Sequence, residues 1–189
     1  MPEKRKVITL NKRLYFPKWS VKNLCLLAML TAITTILAIY CTFRIGNIIK
    51  IPFKFVSVFI TGVLLGPISA GLVSMLGDIL NTAIMPVGPF IPAISAIEFL
   101  VGFIFGIFFY NKDFLGKGYI IRALLCIILL FLTDTFLTPI PLVGAGYFPS
   151  YTVALITRLP AGLIKALLQF VFIIISKGYL KKFKVYTEV

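Results

Sequence analysis

Two cations interrupt the last long apolar run of the chain. Tyr151–Ser176 is long enough to cross a bilayer, yet it carries Arg158 and Lys165 with Pro160 between them. A charged side chain at the centre of a membrane helix costs about 2.5–3.5 kcal/mol on insertion scales. A spacing of seven residues is close to two helical turns, so both cations share one face, about 10 Å apart along the axis. That face cannot point at lipid. It must look into a bundle interior or a cavity, where carboxylates, water or an anionic ligand meet it. Pro160 removes a backbone donor and loosens the helix between the two charges. Three acids lie in other apolar runs: Asp78, Glu98 and Asp134. Such groups suit recognition, not catalysis. The chain has no histidine, and it shows no nucleophile–base set, no P-loop and no metal-ligand spacing. Cys25, Cys41 and Cys126 read as small buried hydrophobes. Neither enzymatic activity nor a cofactor is expected.

The elements that must position these groups are membrane helices. Of 189 residues, 60% are hydrophobic and 14% aromatic, and the mean hydropathy is +1.04. Apolar runs of bilayer length recur along the chain without the two-residue alternation of a β-barrel. The expected class is therefore an all-α membrane protein, a compact bundle of six transmembrane helices forming one integral domain over 1–189. A net charge of +13 flanks the apolar spans instead of making one soluble basic face. It fits the positive-inside rule, with the bilayer and not nucleic acid as partner.

The spans are expected at Val21–Phe43, Phe55–Leu65, Ile68–Ile84, Ala93–Tyr110, Ile120–Thr138 and Tyr151–Ser176. Basic tails run over Met1–Ser20 and Lys177–Val189. Gly66-Pro67 turns the short second span directly into the third. Three prolines and a glycine over Met85–Pro92 make a rigid turn, and Pro139–Pro149 reads as a longer structured loop. Of the 19 Lys and Arg, 14 fall in the N-terminal segment up to Lys22, the connector between spans 4 and 5 up to Arg122, and the C-terminal tail. Arg44, Lys50 and Lys54 lie on the other side, so both termini are expected to be cytoplasmic in a multi-pass bacterial cell-membrane protein.

With that orientation, Asp78, Asn81, Glu98 and Asp134 fall in the outer parts of their spans. Arg158 falls in the outer third of span 6 and Lys165 near its middle. Two readings are open. The charges could close an internal salt-bridge network that gives specificity more than stability. Alternatively, they line a polar cavity open to the outside, with Arg44, Lys50 and Lys54 as a positive rim that favours a carboxylate. Asp78 or Asp134 could accept paired N–H bonds from a heterocycle, and Phe53, Phe55, Phe90, Tyr147, Phe148 and Tyr151 offer stacking faces. A planar, nitrogen-rich ring with an acidic tail would fit. Ala28-x-x-x-Ala32 in span 1, and Gly102 and Gly106 in span 4, allow close helix approach within the bundle or to a partner.

The chain resembles the substrate-binding membrane subunits (S components) of energy-coupling factor (ECF) vitamin transporters, most of all their folate-specific branch. The resemblance covers essentially the whole chain. It rests on Phe43-Arg44-Ile45-Gly46, Lys50-Ile51-Pro52-Phe53, Gly66-Pro67 with Gly71 and Gly77-Asp78, Pro86-x-Gly88-Pro89-Phe90-x-Pro92, and Arg158-Leu159-Pro160 with Lys165. It implies a high-affinity vitamin-binding subunit that topples on a transmembrane coupling protein carrying two cytoplasmic ATPases, with Ala28 and Ala32 at the coupling-protein interface. By resemblance, Arg44 and the nearby lysines would hold the glutamate end of folate and deeper groups the pterin, or the reverse. The alternatives are an S component for riboflavin or pantothenate, and an autonomous ion-coupled transporter with Asp78, Glu98 and Asp134 as a relay. The lack of inverted-repeat halves counts against the relay.

Overall fold

A computed structural model describes residues 20–45, 49–86, 88–110 and 118–187, with the side chains of 43–45, 49–51 and 179–187 outside the described set. The element order is α1 (Val21–Tyr40), β1 (Thr42–Ile45), β2 (Ile49–Pro52), α2 (Phe55–Leu65), α3 (Pro67–Ile84) and α4 (Pro92–Phe109). Then come α5 (Gly118–Leu132), a π-helical turn (Thr133–Leu137), α6 (Pro139–Gly144) and α7 (Tyr151–Thr187). Counting α5, the π turn and α6 as one interrupted helix, the helices follow the expected order of six. Five are long and apolar enough to cross a membrane. The exception, α2, has 11 residues, about 16 Å of helix against about 30 Å of hydrocarbon.

The chain divides into two compact units, one of Met1–Thr42 with Pro52–Asn111, the other of Phe43–Ile51 with Lys112–Val189. In the first, α3 packs along α4, α1 packs on α3, and α2 packs on α4, α3 and α1. The turn from α2 to α3 is made by Gly66, whose φ of 91° lies in the region glycine enters without a steric penalty. Pro67 then starts α3 with its ring-fixed φ. Close approach of α3 and α4 depends on glycine. A Cβ on Gly102 would overlap the Ala70 carbonyl, and one on Gly106 would overlap the Pro67 Cα. The expectation of small-residue packing at 102 and 106 is thus met inside this unit. Phe59 of α2 packs edge-on against Phe105 and Phe109 of α4, at centroid distances of 5.9 and 5.0 Å. On α1, Leu30, Thr31, Thr34 and Thr35 are buried, whereas Ala28 and Ala32 are exposed. A side chain on α1 that is apolar can face either way, because lipid is as apolar as the core. For the same reason Cys25 and Cys41 are exposed and only Cys126 is buried, against the expectation that all three pack inside.

In the second unit α5 and α6 pack against α7. Pro139 has no N–H to offer the carbonyl one turn before it, that of Thr135. The helix answers by widening into the π turn over Thr133–Leu137. The long loop expected over Pro139–Pro149 is in its first half the short helix α6. Helix α7 keeps Pro160 inside it and runs to Thr187, past the expected end of span 6 at Ser176. Tyr119 at the start of α5 is buried, and its hydroxyl donates to the Ile173 carbonyl at 2.7 Å, tying α5 to α7.

The connector expected between spans 1 and 2 is a two-stranded hairpin, β1 with β2. Two short β-branched runs around Gly46-Asn47 carry the sequence signal for such an element.

Candidate functional site

Each unit gathers its own ionisable cluster. In the first, Lys54 caps the start of α2, Asp78 lies on α3 and Glu98 on α4. Lys54 Nζ stands 2.8 Å from Glu98 Oε1 and 3.8 Å from Asp78 Oδ1. Two serines complete the set by a reciprocal exchange. Ser74, one turn before Asp78 on α3, donates to Glu98 Oε2 at 3.1 Å; Ser95, one turn before Glu98 on α4, donates to Asp78 Oδ2 at 2.8 Å. All four carboxylate oxygens therefore face a donor. Lys54 is only 8% exposed, so it is a buried counter-charge, where the sequence placed it on an open rim. Desolvation is offset here by three converging helices and good geometry, the condition under which buried charge is tolerated.

In the second unit, the π turn aims Asp134 at α7, where Lys165 Nζ lies 2.8 Å from Asp134 Oδ2. Next to it Thr135 Oγ1 is buried without a hydrogen-bond partner; a Cβ on Gly162 of α7 would lie 2.9 Å from it. Widened helical turns recur at functional positions. Arg158 is half-buried on α7, between solvent-facing and packed positions, and it too engages in an interaction. Tyr151 opens α7, and its hydroxyl donates to the Phe136 carbonyl of the π turn at 3.2 Å.

The remaining expected site residues are scattered more widely. Asn81 is half-buried on α3, one turn beyond Asp78, and Phe90 is exposed just before α4. Tyr147 is exposed after α6. Arg44 lies on β1 and Lys50 on β2, both with side chains outside the described set. The structure thus joins Lys54 with Asp78 and Glu98, and Lys165 with Asp134. Ser74, Ser95 and Thr135 were missed. The serines carried a signal, a hydroxyl one turn before Asp78 and one turn before Glu98, each on the acid's own helix. Thr135 carried only its place beside Asp134.

Both clusters pair opposite charges inside apolar helices, an arrangement that a membrane protein uses to hold polar groups away from lipid. The profile of a family described as "ECF transporter, substrate-specific component" matches residues 22–176. A curated relative from Clostridium novyi (strain NT), "Folate transporter FolT", is 35% identical over 86 residues. That match takes in 46% of this chain and 50% of the relative, so the chain spans about half the length of the curated relative it matches. Among solved structures, "Crystal structure of FolT bound with folic acid" is similar with a TM-score of 0.69 at 25% identity, over 85% of this chain and 93% of that one. The S component in "Structure and mechanism of the S component of a bacterial ECF transporter" shares the fold with a TM-score of 0.58 at 22% identity, over 86% and 96%.

Proposed function

The chain belongs to the family of ECF transporter substrate-specific components, and on that premise we propose that it binds folate from outside the bacterial cytoplasmic membrane. The observation that carries the ligand is the likeness to the folic-acid-bound structure over 93% of that chain. The chemistry agrees. Folate offers two carboxylates at its glutamate end and a ring with adjacent N–H donors at the other. Arg44 and Lys50 supply cations for the carboxylates. Arg158, Lys165 and Asp134 supply a mixed set of donors and acceptors for the second polar end, and Tyr147 and Tyr151 supply stacking faces. The substrate leaves chemically unchanged.

Delivery requires a second protein, because the chain carries no nucleotide-binding motif. In this reading, a transmembrane coupling protein with two cytoplasmic ATPases docks on the exposed Ala28–Ala32 face of α1, and the subunit topples to release substrate inside. Both termini are cytoplasmic. Isothermal titration of the purified protein against folate, a reduced folate, riboflavin and pantothenate tests the ligand. Heat with folate or its reduced form supports the reading. Heat with riboflavin or pantothenate and none with folates overturns it while leaving the family assignment intact.

A further inference from the structure

The start of α5 and the far end of the apolar run of α7 meet at one ring. Tyr119, in the first turn of α5, is only 1% exposed, and its hydroxyl donates to the Ile173 carbonyl of α7. Ser176 Oγ donates to the same carbonyl at 2.8 Å, so the ring is fixed where α7 leaves its apolar run. Two cations lie beside it. Lys177 Nζ stands over the ring, 5.6 Å from its centroid. Arg122, three residues after Tyr119, is its neighbour on α5. The Arg122 guanidinium folds back toward the helix start: a Cβ on Gly118 would lie 3.5 Å from a terminal nitrogen and 3.9 Å from Nε. Both cations are half-buried. Among the described residues no carboxylate forms an ion pair with either; the ion pairs there use Lys54 and Lys165. A ring attracts a cation through its quadrupole but carries no net negative charge. The patch therefore stays positive.

The flanks narrow the kind of anion that fits. Ile121 and Leu125, beside Arg122 on α5, and Ile174, one turn before Lys177 on α7, are exposed. Such side chains meet acyl chains in a membrane protein. Arg122 and Lys177 lie at the ends of their apolar runs, where long cationic side chains lay their stems on apolar surface and reach the headgroup layer. An anion that arrives with its own acyl chains uses both features at once. A dissolved anion uses only the cations.

We propose that Arg122 and Lys177, arranged around Tyr119, form a binding site for the phosphate of an anionic glycerophospholipid. The site lies within the α5–α7 unit and is independent of the folate reading; the orientation given above decides only which leaflet supplies the lipid.

Native mass spectrometry of the full chain, delipidated in detergent and titrated with phosphatidylglycerol or phosphatidylcholine, reads the site. Both lipids carry a phosphate, but choline cancels its charge. Each cation near an anionic lipid is worth about a fivefold gain, so the parent should prefer phosphatidylglycerol by about 30-fold. Arg122→Gln and Lys177→Gln should each lower that preference about fivefold, and the double variant should abolish it. Lys4→Gln/Lys6→Gln removes the same charge from the N-terminal tail and should leave the preference unchanged. An equal loss in that control reveals attraction by net charge alone and overturns the proposal. A parent that binds both lipids alike overturns it as well, a result that needs no variant to fold, and so does a site double variant that keeps the preference. Excess inorganic phosphate, compared with chloride at matched ionic strength, should leave bound phosphatidylglycerol in place. Displacement by phosphate would overturn the lipid assignment and give the pair to a dissolved anion.

Discussion

Asp134 and Lys165 show how single side chains set the terms inside an apolar bundle. Both are charges in spanning helices, and at 2.8 Å each offsets the other. Asp134→Asn should therefore lower stability by about 3–5 kcal/mol, and Asp134→Asn/Lys165→Met should recover most of that loss, because removing both charges removes the desolvation cost as well. Thermal unfolding of the detergent-solubilised variants measures this, and a double variant no better than the single would show that the pair does not act as a unit. Arg158 has a different expected signature. If the protein binds folate as proposed, Arg158→Ala should weaken that binding by about 10- to 100-fold, the loss of charge-assisted hydrogen bonds. Unchanged affinity with a lowered melting temperature would instead assign it to the internal network. The serines refine the picture: a hydroxyl one turn from each acid satisfies the acid of the neighbouring helix, an exchange that requires two antiparallel helices in register.

Among the elements, α1 has the clearest division of labour. Its buried face is polar for a membrane helix, with Thr34 Oγ1 lying 2.9 Å from Ser57 Oγ of α2, while Ala28 and Ala32 are exposed among larger apolar side chains. Interhelical hydrogen bonds on one side and small residues on the other are the two devices by which membrane helices associate. If the proposed docking of a coupling protein on this face holds, Ala28→Trp should leave folate affinity of the isolated protein unchanged and abolish uptake in proteoliposomes that also contain a coupling protein and ATPases. Lost binding in the isolated protein would place the motif in internal packing. The α5–π–α6 segment shows the opposite strategy, a helix whose regularity is broken by Pro139 so that Asp134 and Thr135 are presented to α7 from a widened turn.

For the whole molecule, the excess of lysine and arginine in the tails and in the 111–119 connector predicts orientation. In a background with Cys25, Cys41 and Cys126 replaced by serine, Phe90→Cys should react with a membrane-impermeant maleimide in intact cells. Lys181→Cys should react only after permeabilisation; the reverse pattern would invert the topology. The sequence by itself determined the class, the order of the helices and the family, because each follows from local quantities: run length, hydropathy, charge flanking and short motifs. It also marked Asp78, Glu98, Asp134 and Lys165, since a charge in an apolar run is conspicuous wherever it points. Only the tertiary structure decided who meets whom. It paired Lys54 with Glu98 instead of leaving it on a rim, turned the Ala28–Ala32 face outward and the Gly102–Gly106 face inward, and folded the 42–52 connector into a hairpin. The physical reason is common to all three. In a membrane protein both the core and the lipid-facing surface are apolar, so composition no longer reports which face is inside, and a long lysine stem reaches whichever carboxylate the packing of other helices brings near.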